Sequence, residues 1–152
     1  MQEVRVVHDF NSNAGAVFAG ISDHVAFLST SKIFCRMTKT GDLDANGTGA
    51  RREVRNGRLL FEEAITAFDS PHAYEYRILA LRGPFNWKLP IHHEHGRLEL
   101  QTVDEKTRVV WTSRFYFTVP LIGAWLGRKL AASISQTFLF FLKRLGQRLH
   151  SS

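Results

Sequence analysis

The chain has 152 residues, 44% of them hydrophobic, with twelve phenylalanines and a formal net charge of +6. That composition excludes a disordered segment, and the length suits a single domain over 1–152 that buries most of its surface. No apolar run reaches the ~20 residues of a membrane span, the lone Cys35 cannot form an internal disulfide, and the charged start "MQEVRVVHDF" does not read as a signal peptide, which together suggest a cytoplasmic protein.

In chain order, "VRVVHDF" alternates and predicts a first strand. "NSNAGAVFAGI" predicts a short helix capped by Asn11, Ser12 or Asn13, and "SDHVAFLST" a second capped by Ser22 or Asp23. Strands then follow in series. "KIFCRMTK" is the first, and "GDLDANGTG" supplies turn residues that tolerate positive φ. "ARREVRNGRLLFEEAITAF" holds two strands around Asn56-Gly57, a strong hairpin signal. After the turn "DSPH", "AYEYRILAL" alternates cleanly, and the two prolines of "RGPFNWKLPI" argue for a loop. "HHEHGRLELQTV" and "TRVVWTSRFYFTV" are two more strands joined by "DEK". Past Pro120, apolar residues at helical spacing (Ile122, Leu126, Leu130, Ile134, Phe138, Phe141, Leu145, Leu149) predict one amphipathic helix over Leu121 to Leu149. A sheet with one apolar face needs a cover, and this helix is the only element large enough.

Three stretches carry a family resemblance: "GTGARREV", "FEEAITAFDSPHAYEYRI" and "GRLELQTVDEKTRVVWTSRF". In this order the sequence resembles the polyketide cyclase/dehydrase-like branch of the START-like helix-grip superfamily. The resemblance implies an α+β helix-grip fold: about seven antiparallel strands curved around a long C-terminal helix, with two short helices after the first strand. It also implies a cavity between sheet and helix. Family members include lipid carriers, aromatic polyketide cyclases, quinone-binding proteins and hydrolases, so the ligand stays open.

Strand alternation assigns faces independently of the resemblance. Thr107, Val109, Trp111, Ser113, Phe115 and Phe117 share an apolar, inward face. Leu98 and Leu100 set the phase of their strand, which places His92, Glu94 and Gly96 inside and His93, His95, Arg97 and Glu99 outside. Tyr74, Tyr76, Ile78 and Ala80 point inward. So do Arg52 with Ala50 and Val54, and Phe61, Glu63, Ile65 and Ala67, leaving Phe68 outside. The candidate ligand-binding set is therefore Arg52, Glu63, Tyr74, Tyr76, His92, Glu94, Trp111, Ser113 and Phe115, with Ile134 and Phe138 from the helix. An Arg52–Glu63 pair could equally be a structural pair, since a buried charge needs a partner.

No metal site is expected in "HHEHG", because neighbouring strand residues face opposite ways and zinc wants three or four protein ligands. No cofactor is expected. Cys35 lies among apolar neighbours and reads as an inert thiol, and there is no Gly-x-Ser-x-Gly elbow. The expected function is binding of a small hydrophobic or amphipathic ligand by a monomer or homodimer. The alternatives are acid/base catalysis of the cyclase or dehydrase type, and lipid or quinone carriage at a membrane. The charge is uneven: no Asp or Glu follows Glu105, while Lys106, Arg108, Arg114, Arg128, Lys129, Lys143, Arg144 and Arg148 do. This reads as a solvated helix face or as a surface for an anionic membrane, protein or ligand. Nucleic acid is not expected, because no stacking aromatics interleave with the basic residues.

Overall fold

The structure is a computed structural model that describes residues 1–151. Strand β1 (Gln2–Phe10) leads into α1 (Ala14–Ser22) and α2 (His24–Leu28). Each short helix carries its own cap: Asn13 accepts from the Ala16 N–H at 2.8 Å, and Asp23 from the Ala26 N–H at 3.4 Å. Six strands follow: β2 (Ile33–Lys39), β3 (Arg51–Asn56), β4 (Leu59–Asp69), β5 (Ala73–Arg82), β6 (Ile91–Val103) and β7 (Lys106–Phe117). They form one antiparallel sheet with β1, in the order β1-β7-β6-β5-β4-β3-β2. The β3–β4 hairpin closes through Gly57-Arg58, with Gly57 at φ +62°.

Helix α3 (Gly123–Ser151) covers the sheet and packs chiefly on β1 and β7. It begins two residues later than the periodicity predicts, because Leu121 takes a left-handed φ of +69° and faces solvent. Ile122, placed in the apolar stripe by spacing, is likewise exposed. The helix is seated unevenly. Phe141, Leu142 and Leu145 in its second half are fully buried, whereas Leu130, Ile134 and Phe138 are only partly covered.

Register shifts in the sheet overturn part of the face assignment. Gly96 pairs with Ser113 and His93 with Phe115, so β6 carries one extra residue between His93 and His95. A bulge of this kind flips the side-chain phase of everything before it. His93 therefore points inward and is buried, while His92 and Glu94 lie on the outer face. There His92 packs on Tyr116, and Glu94 faces Arg114 at 3.6 Å. A shift between Ile65 and Ala67 in β4 turns Phe68 inward against Phe18 and Tyr74. Another shift, between Glu62 and Glu63, pairs Ala80 with Glu62.

Candidate functional site

Beneath the loosely covered first half of α3 lies a hollow of about 90 Å³. Leu28, Ile33, Val54, Phe61, Ile78, Trp111, Leu130, Ile134 and Phe138 give it apolar walls. Arg52, Glu63, Tyr76 and Ser113 give it one polar side. The exposed Asn56 and Ser133 also line it, so it meets solvent between the β3–β4 hairpin and α3.

Two hydrogen-bonded chains build the polar side. In the first, Arg52 donates from Nε to Glu63 Oε1 at 2.8 Å and from Nη1 to His24 Nδ1 at 2.8 Å. A guanidinium can only donate, so His24 Nδ1 is the acceptor and its Nε2–H donates to Asn46 O at 2.8 Å. Burial pushes the His24 pKa down to about 3, and the nearby Arg52 charge adds to this. Burial raises the Glu63 carboxyl above its usual range, against the pull of Arg52. Burial works most strongly against the Arg52 charge too, but the Glu63 carboxylate together with Tyr74 and Cys35 outweighs it, and Arg52 stays protonated. The guanidinium also lies over the Tyr76 ring, 4.9 Å from its centroid.

In the second chain, the Ile78 N–H donates to His93 Nδ1 at 3.0 Å. That bond leaves the proton on Nε2, which donates to Ser113 Oγ at 2.9 Å. His93 stacks on Tyr76, whose hydroxyl accepts from Trp111 Nε1 at 3.0 Å. Burial lowers the His93 pKa to about 4 and raises that of the Tyr76 phenol. His93 and Ser113 thus resemble a base–nucleophile pair but have the wrong polarity. The only basic nitrogen of His93 is held by the backbone, so it cannot take the serine proton. Cys35 is no better a nucleophile, because burial raises its thiol to about 11.

Of the residues expected at a ligand site, Arg52, Glu63, Tyr76, Trp111, Ser113, Ile134 and Phe138 converge on the hollow. Tyr74 and Phe115 are buried behind it; the Tyr74 hydroxyl donates to Ile21 O at 3.1 Å. His92 and Glu94 are on the opposite face of the sheet. Sequence reasoning missed His24, although His24, Phe27 and Leu28 form an i, i+3, i+4 buried face that would have suggested it. It also misplaced His93, for which alternation gave the wrong phase. Among the described residues no group of three or more His, Cys, Asp or Glu side chains could hold a metal ion. Nor is any helix long and apolar enough to cross a membrane.

A family model described as polyketide cyclase / dehydrase and lipid transport matches residues 1–150. The chain belongs to this family. No curated protein matches it in sequence. Solved structures similar to it include TTHA0849 from Thermus thermophilus, at 18% identity and a TM-score of 0.71, over 99% of this chain and 98% of that one. A START superfamily protein from Mycobacterium smegmatis matches at 13% identity and a TM-score of 0.70, over 97% and 98% of the two chains. Ara h 8.0201 matches at 14% identity and a TM-score of 0.67, over 99% of each chain. At these identities the likeness establishes the helix-grip fold. Family and fold together point to a protein that binds hydrophobic ligands or acts like a polyketide cyclase.

Proposed function

We propose that this member of the family binds a small amphipathic ligand in the hollow under α3, with its apolar body against Trp111 and Phe138. A carbonyl or similar acceptor on the ligand would take hydrogen bonds from Tyr76 and Ser113. The supporting observation is the polarity of these two hydroxyls. Each accepts a bond from a buried donor, Trp111 or His93, and no described residue accepts its own proton. Two oriented donors in an apolar wall favour an acceptor atom. An apolar cavity of ~150 Å³ holds a molecule as small as benzene. The hollow of about 90 Å³ therefore admits a larger ligand only as Phe138 swings away from Trp111.

Titration with an anilinonaphthalene sulfonate probe tests this reading. Micromolar binding, about −8 kcal/mol, is expected. Ser133→Phe, at the exposed edge of the hollow, should weaken it at unchanged stability, and Ser113→Ala should weaken binding of carbonyl-bearing aromatics. A parent protein that binds no probe, or a Ser133→Phe variant that binds as well as the parent, refutes the site.

A cyclase-type activity has one observation in its favour. Glu63 borders the hollow with a raised pKa, which suits a carboxyl that moves a proton. Turnover of an aromatic polyketide that disappears in Glu63→Gln while ligand affinity persists would establish it.

A further inference from the structure

The loops at the open end of the hollow expose large apolar side chains. Phe85 and Trp87, in the β5–β6 loop, are 87% and 69% exposed, and Leu121, Ile122 and Trp125 are exposed where α3 begins. The two segments are joined, since the Thr118 N–H donates to Pro90 O at 2.8 Å. Phe85 and Leu121 hold φ values of +59° and +69°, a left-handed backbone that bulky residues rarely adopt. Strain of this kind gathers at functional positions.

The charge around this patch has one sign. Residues 83–90 and 118–129 contain Lys88, Arg128 and Lys129 and no Asp or Glu. Beside Phe85 runs a groove lined by Arg55, Arg58 and Arg82. Arg82 is partnered by Glu62, but Arg55 and Arg58 make no ion pair among the described residues. Lys129 sits over the Trp125 ring, 4.8 Å from its centroid.

We propose that this end of the molecule docks on the surface of an anionic lipid bilayer. Phe85, Trp87, Leu121 and Trp125 would enter the headgroup boundary, and Arg55, Arg58 and Lys129 would meet lipid phosphates. Tryptophan and exposed aliphatic side chains ringed by cations match the chemistry of that boundary. A second copy of this chain fits less well, because a two-fold contact would press this basic surface against itself. The basic C-terminal part of α3 is not the docking element. That helix is about 43 Å long at 1.5 Å per residue, so Lys143 and Arg148 lie at its far end. Arg144 there donates to Ala26 O and Phe27 O instead. Docking rests on these surface residues alone and does not depend on a ligand in the hollow.

Co-sedimentation with phosphatidylcholine vesicles, with and without phosphatidylglycerol, tests the proposal at low and high salt. The full chain should bind the anionic vesicles selectively, and salt should weaken the binding. Arg55→Ala and Arg58→Ala should each lower affinity by about fivefold. Trp87→Ser with Trp125→Ser should abolish binding, whereas Leu43→Ser, at the opposite end of the sheet, should leave it unchanged. No binding to anionic vesicles, equal binding to both compositions, or loss with Leu43→Ser overturns the proposal. So does self-association that depends on Trp87 without any vesicle binding. Probe titration of the same variants without vesicles keeps this outcome separate from the fate of the hollow.

Discussion

Phe138 lies flat on Trp111, with ring centroids 3.7 Å apart and planes within 9°. Trp111 is fixed from the other side by its bond to Tyr76, while Phe138 is only partly buried. The helix side of this contact is therefore the movable one. Phe138→Ala should cost about 3 kcal/mol, the low end for such truncations. It should also enlarge the hollow, so that bulky aromatic probes bind more tightly. Urea midpoints and probe affinities measured on one variant check both, and tighter binding is not expected if Phe138 only fills the core.

The uneven seating of α3 gives a gradient along one helix. Leu142→Ala, fully buried, should cost about 3–5 kcal/mol, while Ile134→Ala, half covered above the hollow, should cost about 2 kcal/mol. Equal losses would mean that the first half of the helix is packed as tightly as the second.

Arg52 and Glu63 form a buried pair, and removing one partner strands the other. Arg52→Met or Glu63→Gln should each destabilise by about 3–5 kcal/mol, and the double variant by less than their sum. Strict additivity in a double-mutant cycle would show that the two side chains do not interact.

Stability should fall in mild acid. The pKa values of His24 and His93 are lowered in the fold from 6.5 to about 3 and about 4, so the unfolded chain binds more protons between those limits. Full stability is present above pH 6.5 and is lost as the pH drops toward 4, by up to about 1.4 kcal/mol per pH unit for each histidine. Urea unfolding at a series of pH values measures the slope. His93→Gln should flatten it, and a slope indifferent to both histidines would contradict their buried, neutral state.

Cys35 should resist alkylation at pH 8 in the native protein and react once it is unfolded, because burial holds its thiol near 11. Rapid native labelling would place it on the surface.

Much of this architecture was legible in the sequence because long elements carry strong periodicity. β7 alternates without interruption, and its inward set from Thr107 to Phe115 matches the structure. Arg52 was legible for the same reason, whereas Glu63 lay on the preferred of two faces in β4, whose alternation is broken by register shifts. His92 and Glu94 were not, because one inserted residue in β6 reverses the phase and the nearby histidines carry no hydropathy signal to reveal it. The start of α3 failed differently: Leu121 and Ile122 continue the apolar rhythm, yet the rhythm there belongs to a surface patch.

Gly96 sits in β6 opposite Ser113, directly against the Tyr76 ring, and a side-chain carbon at that position would overlap the ring. The flat fit lets Tyr76 lie back on the sheet with His93 stacked over it. A single added methyl group would tip the ring toward α3, into the hollow. The depth of the hollow is thus set from behind by a missing atom in the sheet. A relative carrying alanine there would face a choice between a shallower binding space and a smaller residue in place of the tyrosine.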